Sequence, residues 1–148
     1  MECTCSCGAT SFQTIGEPLF RFYCHCTICQ RFNDAPFADI IVYRAEDVAL
    51  PPTGTVIFDT YRPPPNVQRG TCASCCPPAV TVFRSRFLPG LVTVPRPMFR
   101  SDAELPSPVA HGFYDQRVSD ANDPDPKYEG YLRNQIAFLK HLWLARRP

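Results

Sequence analysis

Three short clusters of cysteines constrain the fold of this chain more than any other feature of the sequence. They lie at residues 3–7, 24–29 and 72–76, and together they contain all nine cysteines. Thiols this close in sequence can bind one metal ion from a single turn, and zinc prefers cysteine sulfur. A structural zinc site has four protein ligands, whereas a catalytic site has three and an open position. The spacing therefore predicts a protein folded around zinc.

The cellular compartment decides between metal binding and disulfide bonds. The chain begins with neither the basic region nor the apolar segment of a secretory signal. We therefore expect it in the cytoplasm, a reducing compartment in which disulfides are rare. Metal binding is then favoured over a disulfide framework or inert buried thiols. Because the number of cysteines is odd, at least one of them is spare.

Length and charge narrow the classes of partner. A chain of 148 residues is long enough for one domain with its own core. Its 15 basic and 14 acidic residues give a net charge of +1, which predicts no surface for nucleic acid. No apolar run approaches the ~20 residues that span a membrane. We therefore expect small molecules as partners, with a homodimer as a further expectation.

Two cysteine pairs that are distant in sequence supply a set of four sulfurs. Each pair can form a zinc knuckle, and two knuckles make a closed structural site that ties the N-terminus to the region beyond residue 72. Much of the energy of binding zinc there would be folding energy. Gly8 permits a tight turn beside the first pair, which favours that pair over Cys3, and Cys76 is an alternative to its neighbour in the second pair. The four predicted ligands are Cys5, Cys7, Cys72 and Cys75.

The remaining cluster supplies three sulfurs, from Cys24, Cys26 and Cys29. His25 lies between two of these ligands, where it either orients the turn or becomes a fourth ligand. Three thiolates on Zn²⁺ leave a net charge of about −1 and one open position, and they weaken zinc as a Lewis acid. Such a soft site favours a fourth sulfur ligand. It predicts an enzyme that handles a thiol rather than a hydrolase.

The distribution of proline predicts a mainly β fold of short strands. Most of the 17 prolines are scattered from residue 18 to residue 126, and proline breaks helices and is excluded from central strands. Runs of β-branched and aromatic residues mark the predicted strands. They lie near residues 10–13, 19–23, 38–43, 56–61, 67–71, 79–83, 91–94 and 110–116.

The pattern changes after the proline-rich turn at residues 122–126. Residues 131–146 contain neither proline nor glycine, and apolar side chains recur every three or four positions, which predicts a helix. Its apolar face consists of Leu132, Ile136, Leu139 and Trp143. We expect this face to cover the β core, since burial is usual for such a face. A dimer contact and a lid over the site are the alternatives.

The order of the cysteine motifs resembles that of a known family. Cys-x-Cys-Gly-Ala at residues 5–9, Cys-His-Cys-x-x-Cys at 24–29 and Arg-Gly-x-Cys-x-x-Cys at 69–75 are similar to motifs of the glutathione-dependent formaldehyde-activating enzymes, which include the centromere protein V relatives. His-Gly-Phe-Tyr at 111–114 and Pro-Lys-Tyr-Glu-Gly at 126–130 are similar to the C-terminal region of that family. The resemblance covers roughly residues 3–130.

The resemblance carries expectations of fold and function. It implies an Mss4-like β-tent of short antiparallel strands built around zinc knuckles over residues 1–130. The C-terminal helix at 131–148 lies outside the matched part, and we expect it to pack on the same domain. The resemblance implies two zinc ions, a structural one on the set of four cysteines and a catalytic one on the set of three. It also implies addition of the glutathione thiol to formaldehyde, giving S-hydroxymethylglutathione. That activity is classed as a carbon–sulfur lyase from its reverse direction.

One position departs from the pattern of the family. Glycine usually follows the last ligand cysteine, where this chain has Cys76. Glycine there commonly allows a positive backbone torsion, so we expect the cysteine to be strained or to shift the turn.

Residues near the motifs are candidates for contacts with the thiol. The guanidinium groups of Arg31, Arg62 and Arg69 match a carboxylate in shape, although each is alternatively a solvated surface charge. Asn33 and Asp34 follow the set of three closely, either to contact substrate or to cap a short helix.

A histidine and several aromatic residues complete the candidates. His111 either shuttles a proton or is a structural histidine. The aromatic residues either line a pocket or belong to the core. They are Phe32, Phe37, Phe113 and Tyr114.

Two other functions fit the same residues. An enzyme of this fold would act on a larger metabolite by elimination, dehydration or hydrolysis, with zinc holding a heteroatom of the substrate. A binding module would have two structural zinc ions, with His25 or Cys3 closing the second site and the strands presented to a protein partner.

Overall fold

The computed structural model describes residues 1–86 and 90–145 of the protein. The strands within these ranges are β1 (Glu2–Thr4), β2 (Ser11–Thr14), β3 (Phe20–Cys24), β4 (Ala38–Arg44), β5 (Val48–Ala49), β6 (Val56–Asp59), β7 (Val67–Cys72), β8 (Pro78–Phe83), β9 (Leu91–Pro95) and β10 (Pro108–Gly112). The α-helices are α1 (Thr27–Asn33) and α2 (Tyr131–Leu144). Short 3-10 turns occupy Ala45–Asp47, Arg96–Met98 and Tyr114–Gln116. The predicted mainly β class with a C-terminal helix is confirmed.

Seven strands form a large sheet in the order β10-β3-β4-β9-β8-β7-β6. Neighbours are antiparallel except for the parallel pair β10–β3. A small antiparallel sheet contains β1, β2 and β5. β3 ends at Cys24 and β7 ends at Cys72, so the large sheet delivers one cysteine to each of two clusters. Short strands with cysteines at their turns are consistent with the predicted zinc knuckles.

The core lies on both sides of the large sheet. Along β3, Phe20, Phe22 and Cys24 are buried, whereas Arg21 and Tyr23 are half-buried, which is the period of two expected of a strand. All residues of β9 are buried, as expected for a central strand that is covered on both faces. One group of core residues lies against the small sheet and the first cysteines, and a second group lies beneath α2.

The predicted strand at residues 110–116 is wrong beyond residue 112. β10 ends at Gly112, and a 3-10 turn follows because Phe113 has a left-handed backbone with φ of 51°. A Cβ atom at Gly112 would collide with Asn134 and the Phe22 ring, so the chain approaches α2 closely at this point. The predicted strand at 56–61 also ends early, at Asp59. β1 and β5 were not predicted, because strands of three and two residues are too short to show a pattern.

The face of α2 that contacts the sheet is not the predicted one. Phe138 packs edge-on against Phe20 and Phe22, with ring centroids 5.2 and 5.8 Å apart. Ala137 and Leu142 are buried on the same side. The predicted apolar face remains 46–70% exposed, and the prediction that it covers the core is wrong; its residues are Leu132, Ile136, Leu139 and Trp143. The aromatic contacts with β3 decide the rotation of the helix, since edge-to-face pairs add about 0.5–1.5 kcal/mol beyond area burial.

The predicted end of the helix, Arg146, lies outside the described residues. No described helix has both the length and the apolar character needed to cross a bilayer.

Candidate metal centres

Four cysteines from two distant turns converge on one point, and we call them the four-cysteine cluster. Two come from the turn between β1 and β2, one from the end of β7 and one from the turn between β7 and β8. The Sγ atom of Cys5 lies 3.4 Å from that of Cys7 and 3.5 Å from that of Cys72, and Cys7 and Cys72 are 3.8 Å apart. The cluster consists of Cys5, Cys7, Cys72 and Cys75, whose sulfurs lie within 4.8 Å of one another.

These distances match a zinc site and not a disulfide. Zn–S bonds of about 2.3 Å in tetrahedral geometry place sulfurs about 3.8 Å apart. A disulfide requires about 2.05 Å. The Thr10 amide donates to the Cys5 sulfur at 3.2 Å, which favours the thiolate that a metal needs. The donors and their spacing therefore fit a closed structural zinc.

The turn after β7 distinguishes Cys75 from Cys76. Cys75 lies in the four-cysteine cluster, whereas Cys76 is exposed and its amide donates to the Cys72 carbonyl. Cys76 has φ of 68°, so the turn keeps the left-handed backbone that glycine favours and holds a cysteine in it. A non-glycine residue in this region costs about 1–2 kcal/mol.

Three further cysteines meet where β3 passes into α1, and we call them the three-cysteine cluster. Cys24 ends β3, Cys26 is the N-cap of α1, and Cys29 lies in the first helical turn. The Cys29 amide donates to the Cys26 sulfur at 3.3 Å, so the cap itself orients one ligand toward another. The three sulfurs lie within 4.8 Å of one another. Within residues 1–86 and 90–145, no further histidine, cysteine or carboxylate joins them at that distance.

The electrostatics of this cluster favour a cation. The pKa of Cys26 is lowered to about 3, chiefly by hydrogen bonds from the thiols of Cys24 and Cys29 and to a smaller extent by the Cys29 amide and the nearby charge of Arg69. The site thus holds at least one thiolate at neutral pH. Soft sulfur donors with one thiolate already formed fit zinc.

The two residues proposed to close this site lie elsewhere. The His25 ring is 3% exposed, and its Nε2 is 2.8 Å from Nδ1 of His111, away from the sulfurs. Cys3 belongs to the core beside the small sheet, and burial raises its pKa to about 12. The structure therefore shows three sulfurs here and brings neither alternative ligand to them.

A small cavity adjoins the three-cysteine cluster. Its lining includes Cys29, Phe32, Asn33 and Arg69, together with apolar side chains of β4 and β8, and its volume is about 30 Å³. Asn33 donates from Nδ2 to the Cys29 carbonyl at 2.8 Å. Since one water occupies roughly 10–15 Å³ by this measure, the cavity holds about two small atoms or groups.

Two of the three predicted arginines meet over one tyrosine ring, and one of them, Arg69, lines this cavity. The guanidinium groups of Arg31 and Arg69 lie 4.8 and 5.6 Å from the centroid of the Tyr61 ring. In the part of the chain that the structure describes, neither forms an ion pair with a carboxylate. Arg62 is exposed in the loop after β6. The sequence did not indicate Tyr61 as a site residue, because nothing near it in the chain shows that two arginines contact its ring.

The other predicted residues fall into different places. Asp34 is exposed and ends α1 in a left-handed conformation with φ of 46°. Phe37 and Tyr114 flank the His25 ring at 5.2 and 5.3 Å, and Phe113 contacts Tyr131 on α2. Of the four predicted aromatic residues, Phe32 lines the cavity beside Cys29.

The sequence matches one known protein family over most of its length. A sequence model of the glutathione-dependent formaldehyde-activating enzymes matches residues 1–116. The chain belongs to this family. Membership suggests glutathione-dependent activation of formaldehyde, with glutathione and formaldehyde as small-molecule partners, and zinc binding.

One solved structure supports the fold. A protein of Rhodobacter sphaeroides, whose crystal structure comes from a structural genomics programme, is 19% identical to this chain. The alignment covers 72% of this chain and 98% of that one, with a TM-score of 0.55. At this identity the likeness shows the fold alone. No curated protein matches the chain.

Proposed function

We propose that this protein is a zinc-dependent enzyme of the carbon–sulfur lyase type that joins the glutathione thiol to formaldehyde, or catalyses the reverse. The observation that carries the proposal is the three-cysteine cluster. It has three sulfurs, no fourth protein ligand among the described residues, and a small cavity beside it. The four-cysteine cluster would hold a second, structural zinc.

The local fold prepares the three-cysteine cluster for a metal. Zinc held by Cys24, Cys26 and Cys29 would supply a free coordination position that binds a thiol as its thiolate. The N-cap geometry of α1 fixes two of these sulfurs relative to each other. Arg69 brings a positive charge close enough to lower the pKa of Cys26, and it would partly offset the negative charge of an added thiolate.

The two stacked arginines suit the carboxylates of a peptide thiol such as glutathione. Arg31 and Arg69 have their guanidinium groups beside Tyr61 and no carboxylate partner in the described residues. A guanidinium fork pairs with a carboxylate through two parallel hydrogen bonds. Arg62 follows Tyr61 in the sequence and is a third candidate. Asn33 keeps one N–H for substrate after its bond to the Cys29 carbonyl.

The size of the cavity favours a small aldehyde over a larger metabolite. A volume of about 30 Å³ admits a one-carbon carbonyl compound beside Cys29 and leaves the rest of the thiol outside. In the reaction the thiol sulfur forms a bond to the carbonyl carbon, and the carbonyl oxygen takes up the proton that the thiol loses. The proton-shuttle role of His111 stays a prediction, since its ring is buried and both nitrogens already contact His25 and Asp123.

Exchange spectroscopy tests the proposal directly. We expect the zinc-loaded protein to accelerate the interconversion of formaldehyde hydrate and S-hydroxymethylglutathione, followed by NMR with ¹³C-formaldehyde. Equal acceleration by the metal-free protein would contradict the proposal. Turnover of a larger metabolite without glutathione would replace it by the second enzyme hypothesis. The homodimer and the cytoplasmic location stay predictions, and sedimentation velocity measures the first.

A further inference from the structure

A chain of hydrogen bonds runs from a surface loop to His25, the residue between two cysteines of the three-cysteine cluster. Lys127 donates to Asp123 at 3.0 Å, and the other Asp123 oxygen lies 3.0 Å from Nε2 of His111. Nδ1 of His111 is in turn 2.8 Å from Nε2 of His25. The two imidazoles are 2% and 3% exposed, and their rings stack with centroids 5.1 Å apart. His25 is the residue between Cys24 and Cys26.

The direction of the hydrogen bonds between Asp123, His111 and His25 follows from the charge on the Asp123 carboxylate. Asp123 accepts hydrogen bonds from Lys127 and from the Asp125 amide, and these lower its pKa, so its ionised carboxylate accepts only. His111 must therefore carry its proton on Nε2. With one proton on each ring, Nδ1 of His111 accepts and Nε2 of His25 donates. Nδ1 of His25 is then unprotonated, and it has no hydrogen-bond partner among the described residues.

The ring of His25 is held by aromatic side chains, and it also lines a cavity of about 80 Å³ beside residues 118–121. Phe37 and Tyr114 flank it. The main chain is fixed as well, because the His25 amide donates to Gly112 at 2.9 Å and its carbonyl accepts from Gln30. Successive side chains of an extended segment point to opposite sides. Fixing His25 on one side therefore fixes its two cysteine neighbours on the other.

We propose that Asp123 and His111 are positioning residues that set the tautomer and orientation of His25, and thereby hold Cys24 and Cys26 in the geometry that binds zinc. This role rests on the proposed zinc at the three-cysteine cluster. Residues that orient a metal site through hydrogen bonds typically change metal affinity about 10–100-fold when they are replaced. No sequence motif reveals this role of Asp123, since the loop at residues 122–126 is about 100 residues from Cys24 and Cys26.

Asp123→Asn tests this chain of hydrogen bonds with little change in the shape of the side chain. The amide that replaces the carboxylate can donate to Nε2 of His111, which inverts the tautomer and sets two N–H groups against each other between the histidines. We expect the affinity for the second zinc to fall about tenfold or more, with the four-cysteine cluster unchanged. Asp102→Asn is the matched control, because that carboxylate is exposed and pairs only with Arg100 at the surface among the described residues.

Two measurements on the full chain test the positioning role of Asp123 and His111. Competition with a chelator measures the affinity of each zinc site, and ¹⁵N NMR of the imidazoles measures the tautomers in the zinc-free and zinc-loaded protein. We expect Nε2 to be protonated and Nδ1 unprotonated in both His25 and His111 of the wild type. This measurement needs no variant, so it decides the hydrogen-bond chain even if Asp123→Asn does not fold.

Three results separate this proposal from the proposed function. Protonation of His25 at Nδ1 in the wild type, or an Asp123→Asn protein that binds both zinc ions as tightly as Asp102→Asn, overturns the positioning role. A wild type that binds a single zinc overturns the positioning role and the proposed function together. A second zinc that Asp123→Asn weakens, in a protein without activity on glutathione and formaldehyde, supports the positioning role and contradicts the proposed function alone.

Discussion

The two cysteine clusters use the same donor atom in different surroundings. The four-cysteine cluster lies between two turns, and the sulfurs of Cys5, Cys7 and Cys72 are 3.4–3.8 Å from one another. The three-cysteine cluster lies where a strand passes into a helix, beside a cavity, an arginine and a buried pair of histidines. Four sulfurs fit a closed structural zinc, whereas zinc on three sulfurs beside a cavity would have one position free for a substrate.

The largest effect is expected from breaking the closed cluster. Cys72 is fully buried, and Cys72→Ser removes one of the four sulfurs of this site. Zinc bound there would contribute about 10 kcal/mol, comparable with the whole stability of a domain. We expect the variant to be largely unfolded by circular dichroism at 25 °C. Cys76→Ser, at an exposed thiol outside both clusters, should melt like the wild type. A folded Cys72→Ser protein that still binds two zinc ions would show that folding does not depend on the four-cysteine cluster.

Breaking the open cluster should separate fold from activity. Serine is itself a good N-cap, so Cys26→Ser should keep α1 and the zinc of the four-cysteine cluster. We expect one bound zinc by elemental analysis and a loss of turnover of more than about a hundredfold, because the thiol would lose the ion that holds it as a thiolate, and generation of a nucleophile by a metal is worth several kcal/mol. Two zinc ions and full activity in this variant would remove the basis for a catalytic cluster.

A smaller effect is expected at the rim of the cavity. Arg69→Lys keeps the charge but loses the fork that pairs with a carboxylate. We expect KM for glutathione to rise about tenfold with a smaller change in kcat, corresponding to one charge-assisted hydrogen bond of about 1.5 kcal/mol. Arg133→Lys, on the exposed side of α2, is the control. An unchanged KM would place the carboxylates of the thiol elsewhere.

The smallest effect concerns the turn that separates Cys75 from Cys76. Cys76→Gly relieves a backbone with φ of 68°, and we expect it to raise the free energy of unfolding by about 1 kcal/mol. Cys76→Ala keeps a Cβ atom and should give no such gain. Urea denaturation measures both, and equal stabilities of the two variants would mean that the turn is unstrained.

Local chemistry made much of this molecule predictable from its sequence. The division of the cysteines into four and three needed only ligand counting and the spacing of the motifs, and the structure gathers those same seven sulfurs into two groups. The strands of the large sheet followed from runs of β-branched and aromatic residues. The positive φ at Cys76 followed from the glycine usual at that position in the family.

Contacts between distant segments could not be predicted in the same way. Helical periodicity identified the apolar positions of α2, but the edge-on packing of Phe138 on Phe20 turned a different face to the sheet. Asp123 was noted only as part of a proline-rich turn, because nothing in the local sequence indicates that its carboxylate reaches His111. Such pairings depend on the order of strands, which the pattern of single residues does not determine.

X-ray absorption at the zinc edge tests the difference between the clusters most directly. Seven cysteines shared by two ions predict an average of 3.5 sulfurs per zinc in the loaded protein, rising to 4 when glutathione occupies the open position of the three-cysteine cluster. An average of 4 sulfurs before glutathione is added, or no change on its addition, would contradict an open zinc position that receives the thiol.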